Sequence, residues 1–248
     1  MQTSYLFVRS QDRTLGTSSA FSLTLPTPFR NVKAISLVSV ELPFGCYNIE
    51  APYTQGVRFS HNSSLYDLTL TAGFYQVTDL QSMILSQLQA AYPTAGISSV
   101  LFSQITGKLS IVYSSGLAFA AASTSSGSLG RVVGTDPLGT TTIATGGVLA
   151  MPFLVNMFPM STILMKIAEL PAICVSTNNQ QCFARLQMSS TPASVLLLNN
   201  ASGTQNTNVY ATPISTLSSL TVSLFSSDNQ AISLHGCEYS FTLMVQTA

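Results

Sequence analysis

The sequence predicts an all-β fold with one main helix, and two features of its pattern lead to that class. At least ten stretches carry the period-two alternation or the short apolar runs of β-strands, whereas one stretch has clear helical periodicity. Turn residues recur between these stretches at the spacing of a β-sandwich or barrel. No change of composition divides the 248 residues, so we expect an N-terminal arm over 1–19 and a single domain over 20–248.

The chain carries very little charge. Only 7% of its residues are charged, against roughly 25% in an average soluble domain, and nine acidic residues balance nine basic ones. This balance argues against a basic surface, so no direct nucleic-acid partner is expected. With 46% hydrophobic residues, the chain also differs from a disordered protein. A surface this neutral predicts burial by other subunits; a merely neutral β-protein is the alternative.

No segment has the pattern of a transmembrane span or a secretory signal. The long uncharged tracts are interrupted by Pro, Gly and Asn, and the first residues, MQTSYLFVRSQDR, lack a basic start followed by an apolar run. The four cysteines are therefore expected to be reduced. Cys174 and Cys182 flank a short polar stretch and would face each other across a hairpin, which leaves a disulfide between them as the alternative.

The longest apolar stretch of the first half covers 30–50. Its apolar residues fall on both faces, which predicts one long central strand that stops at Pro43. A shorter alternating strand over 21–25 precedes it and is expected to end at Pro26 and Pro28. The pattern ILMKIAELP over 163–171 repeats ISLVSVELP over 35–43, which predicts two similar central strands of one sandwich.

One helix is predicted over about 79–91. Leu80, Ile84 and Leu88 recur every four residues and form one apolar stripe. Thr78 is the expected N-cap, with Gln81 in the position of a capping box.

The remaining strands follow from alternation and turn residues. A hairpin is predicted to join 99–102 to 108–113 through Thr106-Gly107, and a short helical turn lies within 127–134. Other expected strands cover 57–59, 65–70, 148–158, 162–170, 182–188, 217–225, 231–234 and 239–245, with loops over 136–147 and 199–208.

Residues able to carry out chemistry are few and scattered. His61 and His235, the two histidines, have no ligand set at metal-binding spacing, and no nucleophile motif is present. Glu41 and Glu169 end apolar strands; a structural role is favoured over that of an acid with a raised pKa. We therefore predict no catalytic residue, no cofactor and no metal, and hence no enzyme.

Asp12 and Arg13 place two of the few charges side by side in the arm. An Arg side chain can fasten the arm through a carboxylate or carbonyls, and a solvated turn is the alternative.

Several short motifs occur in a fixed order in the first third of the chain. They are Ser10-x-Asp12-Arg13, Phe21-x-Leu23-x-Leu25, Leu42-Pro43, Tyr47-Asn48-Ile49, Leu70-x-x-Gly73-x-Tyr75 and the helix on Leu80, Ile84 and Leu88. In this order the chain resembles the penton-type and minor single jelly-roll capsid proteins of large double-stranded DNA viruses, among them nucleocytoplasmic large DNA viruses, virophages and polinton-like viruses. The resemblance is good over about the first 90 residues and looser beyond them.

The resemblance implies a jelly-roll β-sandwich that serves as a structural capsid protein. It implies homopentamers at icosahedral vertices, neighbouring major and minor capsid proteins as further partners, and localisation in the virion after assembly in the host cytoplasm or nucleus. The assembly residues that it implies are Asp12, Arg13, Pro43, Tyr47, Asn48, Gly73 and Tyr75. The alternatives are a virion spike or attachment protein that binds a receptor or glycan, and a β-sandwich hydrolase or lectin.

Overall fold

A computed structural model describes most of the chain. The described residues are 1–43, 47–49, 56–114, 119–123, 128–135, 142–144, 146–157, 162–172, 174–175, 181–188, 195–199, 207–227 and 229–248. They divide into two compact units, the first of residues 1–46 and 160–248 and the second of residues 47–159. The arm over 1–19 and the single domain over 20–248 stay predictions.

The described strands are β1 (Gln2–Arg9), β2 (Leu15–Gly16), β3 (Ala20–Pro43), β4 (Val57–His61), β5 (Ser64–Leu68), β6 (Ile97–Ser103), β7 (Lys108–Tyr113), β8 (Phe119–Ser123), β9 (Thr142–Ala144), β10 (Val148–Ala150), β11 (Thr162–Ile167), β12 (Cys174–Val175), β13 (Gln181–Cys182), β14 (Ala184–Gln187), β15 (Val195–Asn199), β16 (Thr207–Ser226) and β17 (Ser240–Thr247). The described α-helices are α1 (Val77–Ala91) and the short α2 (Ser128–Val133), and two 3-10 turns cover Ser10–Asp12 and Pro93–Ala95. The chain is all-β with one main helix, as predicted.

The first unit is a curled, antiparallel jelly-roll sandwich. Its strand order is β1-β17-β3-β16-β11-β14, and β2 and β15 also pair with β3. The first half of β3 pairs with β2 and the end of β16, whereas the second half pairs with β17, β15 and the start of β16. Phe21 in the first half contacts Tyr239, next to β17, with ring centroids 6.0 Å apart. The two halves of β3 therefore belong to facing layers, with the core between them.

The prediction that Pro26 and Pro28 end a strand was wrong, because β3 continues through both. Thr24 pairs with Ser219 and Phe29 pairs with Leu217, so the register shifts across the segment that holds the prolines. Residues in such a bulge make no regular ladder bond, and the missing proline N–H is not needed there. Pro213 lies in the second register shift of the same strand pair, between Val209 and Ile214.

A bulge also changes the predicted faces of the long strand. Thr242 pairs with Ser39 and Leu243 with Leu37, so Val38 is an extra residue in β3. The bulge reverses the alternation, and all four flanking apolar residues (Ile35, Leu37, Val40 and Leu42) join the same core. The predicted strand is real and ends at Pro43, but its apolar residues serve one core.

The second unit packs one helix against antiparallel sheets. Its sheets have the orders β5-β4-β8-β9 and β10-β7-β6, and the predicted hairpin is β6–β7. Leu80, Ile84 and Leu88 of α1 are buried in this unit's core, which confirms the predicted stripe. Within the described part of the chain, neither helix has the length and apolarity to cross a membrane.

The start of α1 differs from the prediction. The helix begins at Val77, and the backbone N–H of Gln76 donates to the Asp79 carboxylate at 3.0 Å, as in a capping box. Thr78 lies inside the helix. Gln81 faces β6 and donates to the Val100 carbonyl at 2.8 Å, so it does not cap.

Several strand boundaries also differ. The strand predicted over 148–158 ends at Ala150, and residues 151–157 are irregular. The loop predicted over 136–147 contains β9, and 182–188 is interrupted at Phe183. Residues 231–234 form an isolated bridge from Ala231 to Phe225, not a strand. Of the loop predicted over 199–208, Asn199 and 207–208 are strand residues, while 200–206 lie outside the described residues.

Candidate assembly contacts

The N-terminal charges form two ion pairs. Arg13 Nη1 donates to both oxygens of Glu238, at 2.7 and 2.9 Å, and to the Ser10 carbonyl at 2.9 Å. Asp12 is instead paired with Arg9, which donates to its two oxygens at 2.8 Å. Arg13 therefore fastens the N-terminal segment to the residue preceding Tyr239, as the sequence suggested for this side chain.

Ser10 completes this contact. Its side chain is fully buried; the hydroxyl donates to Glu238 and accepts from the Tyr239 N–H at 2.9 Å. The hydrogen bond from Ser10, followed by that from Arg13, lowers the pKa of the Glu238 carboxyl below its ordinary value. The carboxylate is thus held in its charged form, and it links β1 to the start of β17.

Pro43 lies at the end of β3, opposite Val195 of β15. Glu41, two residues earlier, accepts a hydrogen bond from the Ser240 hydroxyl at 3.1 Å. Glu169, in the repeated motif, accepts from the Thr221 N–H at 2.7 Å. Both glutamates thus have the structural role that the sequence favoured.

Asn48, Gly73 and Tyr75 come together in the second unit. Asn48 is buried, and its side-chain amide donates to the Tyr75 carbonyl at 2.7 Å while its oxygen accepts from the Tyr75 N–H at 2.9 Å. Gly73 exchanges two backbone hydrogen bonds with Ile49, at 2.8 and 3.2 Å. The Tyr75 hydroxyl donates to the Thr71 carbonyl at 2.8 Å. These predicted residues form a local clasp between the start of this unit and the loop before α1.

At Gly73, an added Cβ would lie 3.4 Å from the Tyr75 ring, an ordinary van der Waals contact, so this position has room for an alanine. Tyr47, the neighbour of Asn48, is half-buried. An assembly role for any of the seven predicted residues stays a prediction.

The described residues offer little for catalysis. They contain no group of three His, Cys, Asp or Glu side chains able to hold a metal. Burial raises the pKa of Tyr210 to about 12. It also raises the pKa of Tyr239. Both phenols therefore stay protonated at neutral pH. Cys174 and Cys182 are register partners in β12–β13, which confirms that they oppose each other in a hairpin.

Sequence reasoning missed two sets of residues. Glu238 is far from Arg13 in sequence, and only the fold brings them together. Tyr5 and Phe7 project from β1 with 67% and 59% of their surface exposed. The alternation in SYLFVR, with one apolar series on each face, was the signal that could have revealed an exposed aromatic face.

The fold defines a class of protein: a jelly-roll β-sandwich combined with a second α+β unit. A solved structure with this fold is the mavirus penton protein, which matches over 100% of both chains with a TM-score of 0.56 and 13% sequence identity. No protein-family model matches the chain. No curated protein matches it either.

Proposed function

We propose that this protein is a structural subunit of a viral capsid, and that five copies form the penton at an icosahedral vertex. The main observation in support is the fold match to a penton protein. The match covers 100% of this chain and 100% of the penton chain, so it includes both compact units of this protein. A match to a jelly roll alone would carry less weight, because that sandwich serves many functions.

The composition supports the same proposal on separate grounds. Nine acidic and nine basic residues in 248 leave long stretches of surface uncharged. Charged residues are depleted at the centres of protein interfaces, because desolvating a charge without a partner is costly. A subunit whose sides are covered by neighbours suits this composition. The role is structural, and no reaction is proposed.

The partners and location follow from the proposed role. The chain contacts further copies of itself within the pentamer and the neighbouring capsid proteins around it. It resides in the virion after assembly inside the host cell.

Native mass spectrometry of the purified chain tests the proposal. The expected species has five times the subunit mass of 26.3 kDa, and its contacts bury more than about 1,000 Å² each. Electron microscopy of particles should then place the chain at vertices. A chain that stays monomeric at all concentrations and is absent from particles contradicts the proposal.

The competing function is that of an attachment protein, and a deletion distinguishes it from the capsid role. Deleting 201–205, between the described strands β15 and β16, leaves paired strand residues in place. A capsid subunit keeps its oligomeric state and its vertex position after this deletion. Loss of host-cell binding with normal particle closure would instead favour attachment.

A further inference from the structure

Among the described residues, the sheet of the first unit has two open edges, which lie on opposite sides of the central strands β3 and β16. β2 and β17 both lie on the side of β3 opposite to β16, and β1 continues beyond β17. We call this side the β1–β2 flank. On the other side, β11 and β14 continue beyond β16, and β15 lies beside the end of β3. We call that side the β14–β15 flank.

β1 presents an unusually open edge. It pairs with β17 at all eight positions without a bulge, and among the described residues it has no strand on its other side. Every second backbone group along that outer edge is consequently available to another strand. The available partner is therefore an extended segment of polypeptide, since only such a segment satisfies a row of N–H and C=O groups.

The side chains of β1 favour such a partner. Val8 is buried in the core and Leu6 packs against it, whereas Tyr5 and Phe7 project outward, 67% and 59% exposed. Leu15 of β2, on the same flank, is 75% exposed. These are large apolar side chains at the margin of the sandwich.

The features that usually protect an edge strand are missing from β1. It contains no proline, lysine or bulge. Its single charge, Arg9, lies at its end and is already paired with Asp12. An edge of this kind is a hazard in a free monomer and an advantage in an assembled subunit.

The opposite flank has the complementary properties. β14 ends the sheet order with its outer edge unpaired among the described residues, and Val195 of β15 is 54% exposed. The only charge in β14 and β15 is Arg185. Among the described residues, one chain therefore carries two flanks with an open strand edge and few charges, on opposite sides of β3 and β16.

We propose that the β1–β2 flank of one copy docks onto the β14–β15 flank of the next copy, with the outer edge of β1 hydrogen-bonded to a strand of that neighbour. This inference rests on the proposed capsid role and names the surfaces of its lateral contact. The occupant is a second copy because each chain supplies both members of the pair. A head-to-tail contact of this kind closes into a ring when its rotation fits. A symmetric β1–β1 contact would leave the β14–β15 flank open.

The exposed area sets the strength of one such contact. A fully exposed aromatic side chain offers about 150–250 Å². At the exposures of Tyr5 and Phe7, the two together offer on the order of 250 Å². A standard interface needs about 800 Å² per partner, so the strand contributes roughly a third. One contact is consequently weak, and the closed ring, in which every copy makes two, is the stable species.

The first test blocks the β1–β2 flank. The double substitution Tyr5→Lys with Phe7→Lys places two charges on exposed sites and should leave the fold intact. We expect the concentration for half-assembly to rise by about tenfold or more. The matched control is Leu65→Lys, since Leu65 is 66% exposed but belongs to the second unit. Sedimentation velocity measures assembly, and thermal unfolding confirms equal stability.

The second test distinguishes head-to-tail from symmetric pairing. A variant with Gln187→Lys and Val195→Lys blocks the β14–β15 flank. At a concentration where the wild-type chain is just assembled, each blocked variant alone should stay monomeric. An equal mixture of the two, at a concentration high enough to populate one weak contact, should form dimers that do not grow, because one intact contact remains. Dimers from the β14–β15 variant alone would show β1–β1 pairing and overturn the proposal.

Failure of this inference differs from failure of the proposed function. If the wild-type chain forms pentamers and the Tyr5→Lys, Phe7→Lys variant assembles equally well, the flank assignment is wrong and the capsid role stands. If the wild-type chain is monomeric at every concentration and absent from particles, the capsid role fails first.

Discussion

Replacing Asn48 by Ala should destabilise the second unit more than any other single polar substitution among the predicted assembly residues. The Asn48 side chain is 3% exposed and makes two hydrogen bonds to the Tyr75 backbone, at 2.7 and 2.9 Å. Truncation removes both bonds and leaves the Tyr75 N–H and carbonyl without a partner. A net hydrogen bond contributes about 1 kcal/mol, and each buried orphan costs about 1–3 kcal/mol. Because Tyr75 is only half-buried, water recovers part of this. The expected loss is about 2–3 kcal/mol.

Urea unfolding measures this loss of unfolding free energy, and hydrogen exchange measures it at single amides. The Gly73 amide donates to the Ile49 carbonyl at 2.8 Å, so its protection reports on the clasp directly. The control is Asn208→Ala, because Asn208 is half-buried and makes one solvent-exposed bond to the Pro171 carbonyl at 2.9 Å. That change should cost less than about 1 kcal/mol.

An Asp at position 48 gives a sharper comparison. It keeps the acceptor for the Tyr75 N–H but replaces the donor with a second oxygen, which faces the Tyr75 carbonyl. The loss at neutral pH should equal or exceed that of Asn48→Ala. If Asn48→Ala costs under about 0.5 kcal/mol, or no more than Asn208→Ala, the clasp does not stabilise this unit.

Four other substitutions have defined outcomes. The pKa of Glu238 is lowered in the folded state. The stabilisation by this carboxylate is therefore present above its unfolded pKa and is lost as the pH falls through its folded pKa. Glu238→Gln should reduce the acid-induced loss of hydrogen-exchange protection at the Tyr239 amide below about pH 5, and an unchanged acid sensitivity would refute the link. Asp79→Ala should lower stability by about 1 kcal/mol and Thr78→Ala by less in circular dichroism melts, and the reverse order would restore Thr78 as the cap. Tyr47→Ala should weaken assembly strongly and lower the melting temperature only slightly, because this half-buried ring keeps exposed surface. If the melting temperature falls in proportion to the loss of assembly, Tyr47 has a purely structural role.

Local pattern was enough to predict elements whose contacts are near in sequence. The stripe of α1 and the β6–β7 hairpin depend on spacings of a few residues, and both are where periodicity placed them. The strand that ends at Pro43 was also predicted correctly, since Pro43 and the residues after it interrupt the apolar run. The choice of helix cap failed because the N-cap is Gln76, whose residue type is not among those that usually cap a helix. Gln81 is drawn to the Val100 carbonyl of β6, a contact that the helix sequence alone does not contain.

The failures involve contacts between distant parts of the chain. Pro26 was expected to end a strand, but the register shift that accommodates it is made by β16, nearly 200 residues away: the adjoining Ser22–Thr221 contact spans 199 positions. The partner of Arg13, Glu238, is separated from it by 225 positions. A polar arm residue and its carboxylate carry no shared local signal, so the sequence could favour a fastening role for Arg13 without naming what it fastens.

The bulges connect the core of the first unit to its open flanks. A strand of 24 residues would be far longer than one layer of a sandwich needs. Register shifts let β3 and β16 bend and supply both layers, and the extra residue Val38 keeps the apolar side chains in one core. Because these two long strands occupy the centre of the sheet, the short strands are left at the sides. Among the described residues, the core is thus filled by side chains of one chain, while the outer backbone edges of β1 and β14 have no strand partner. Substitutions in the core should therefore change folding, and charges on the flanks should change association alone.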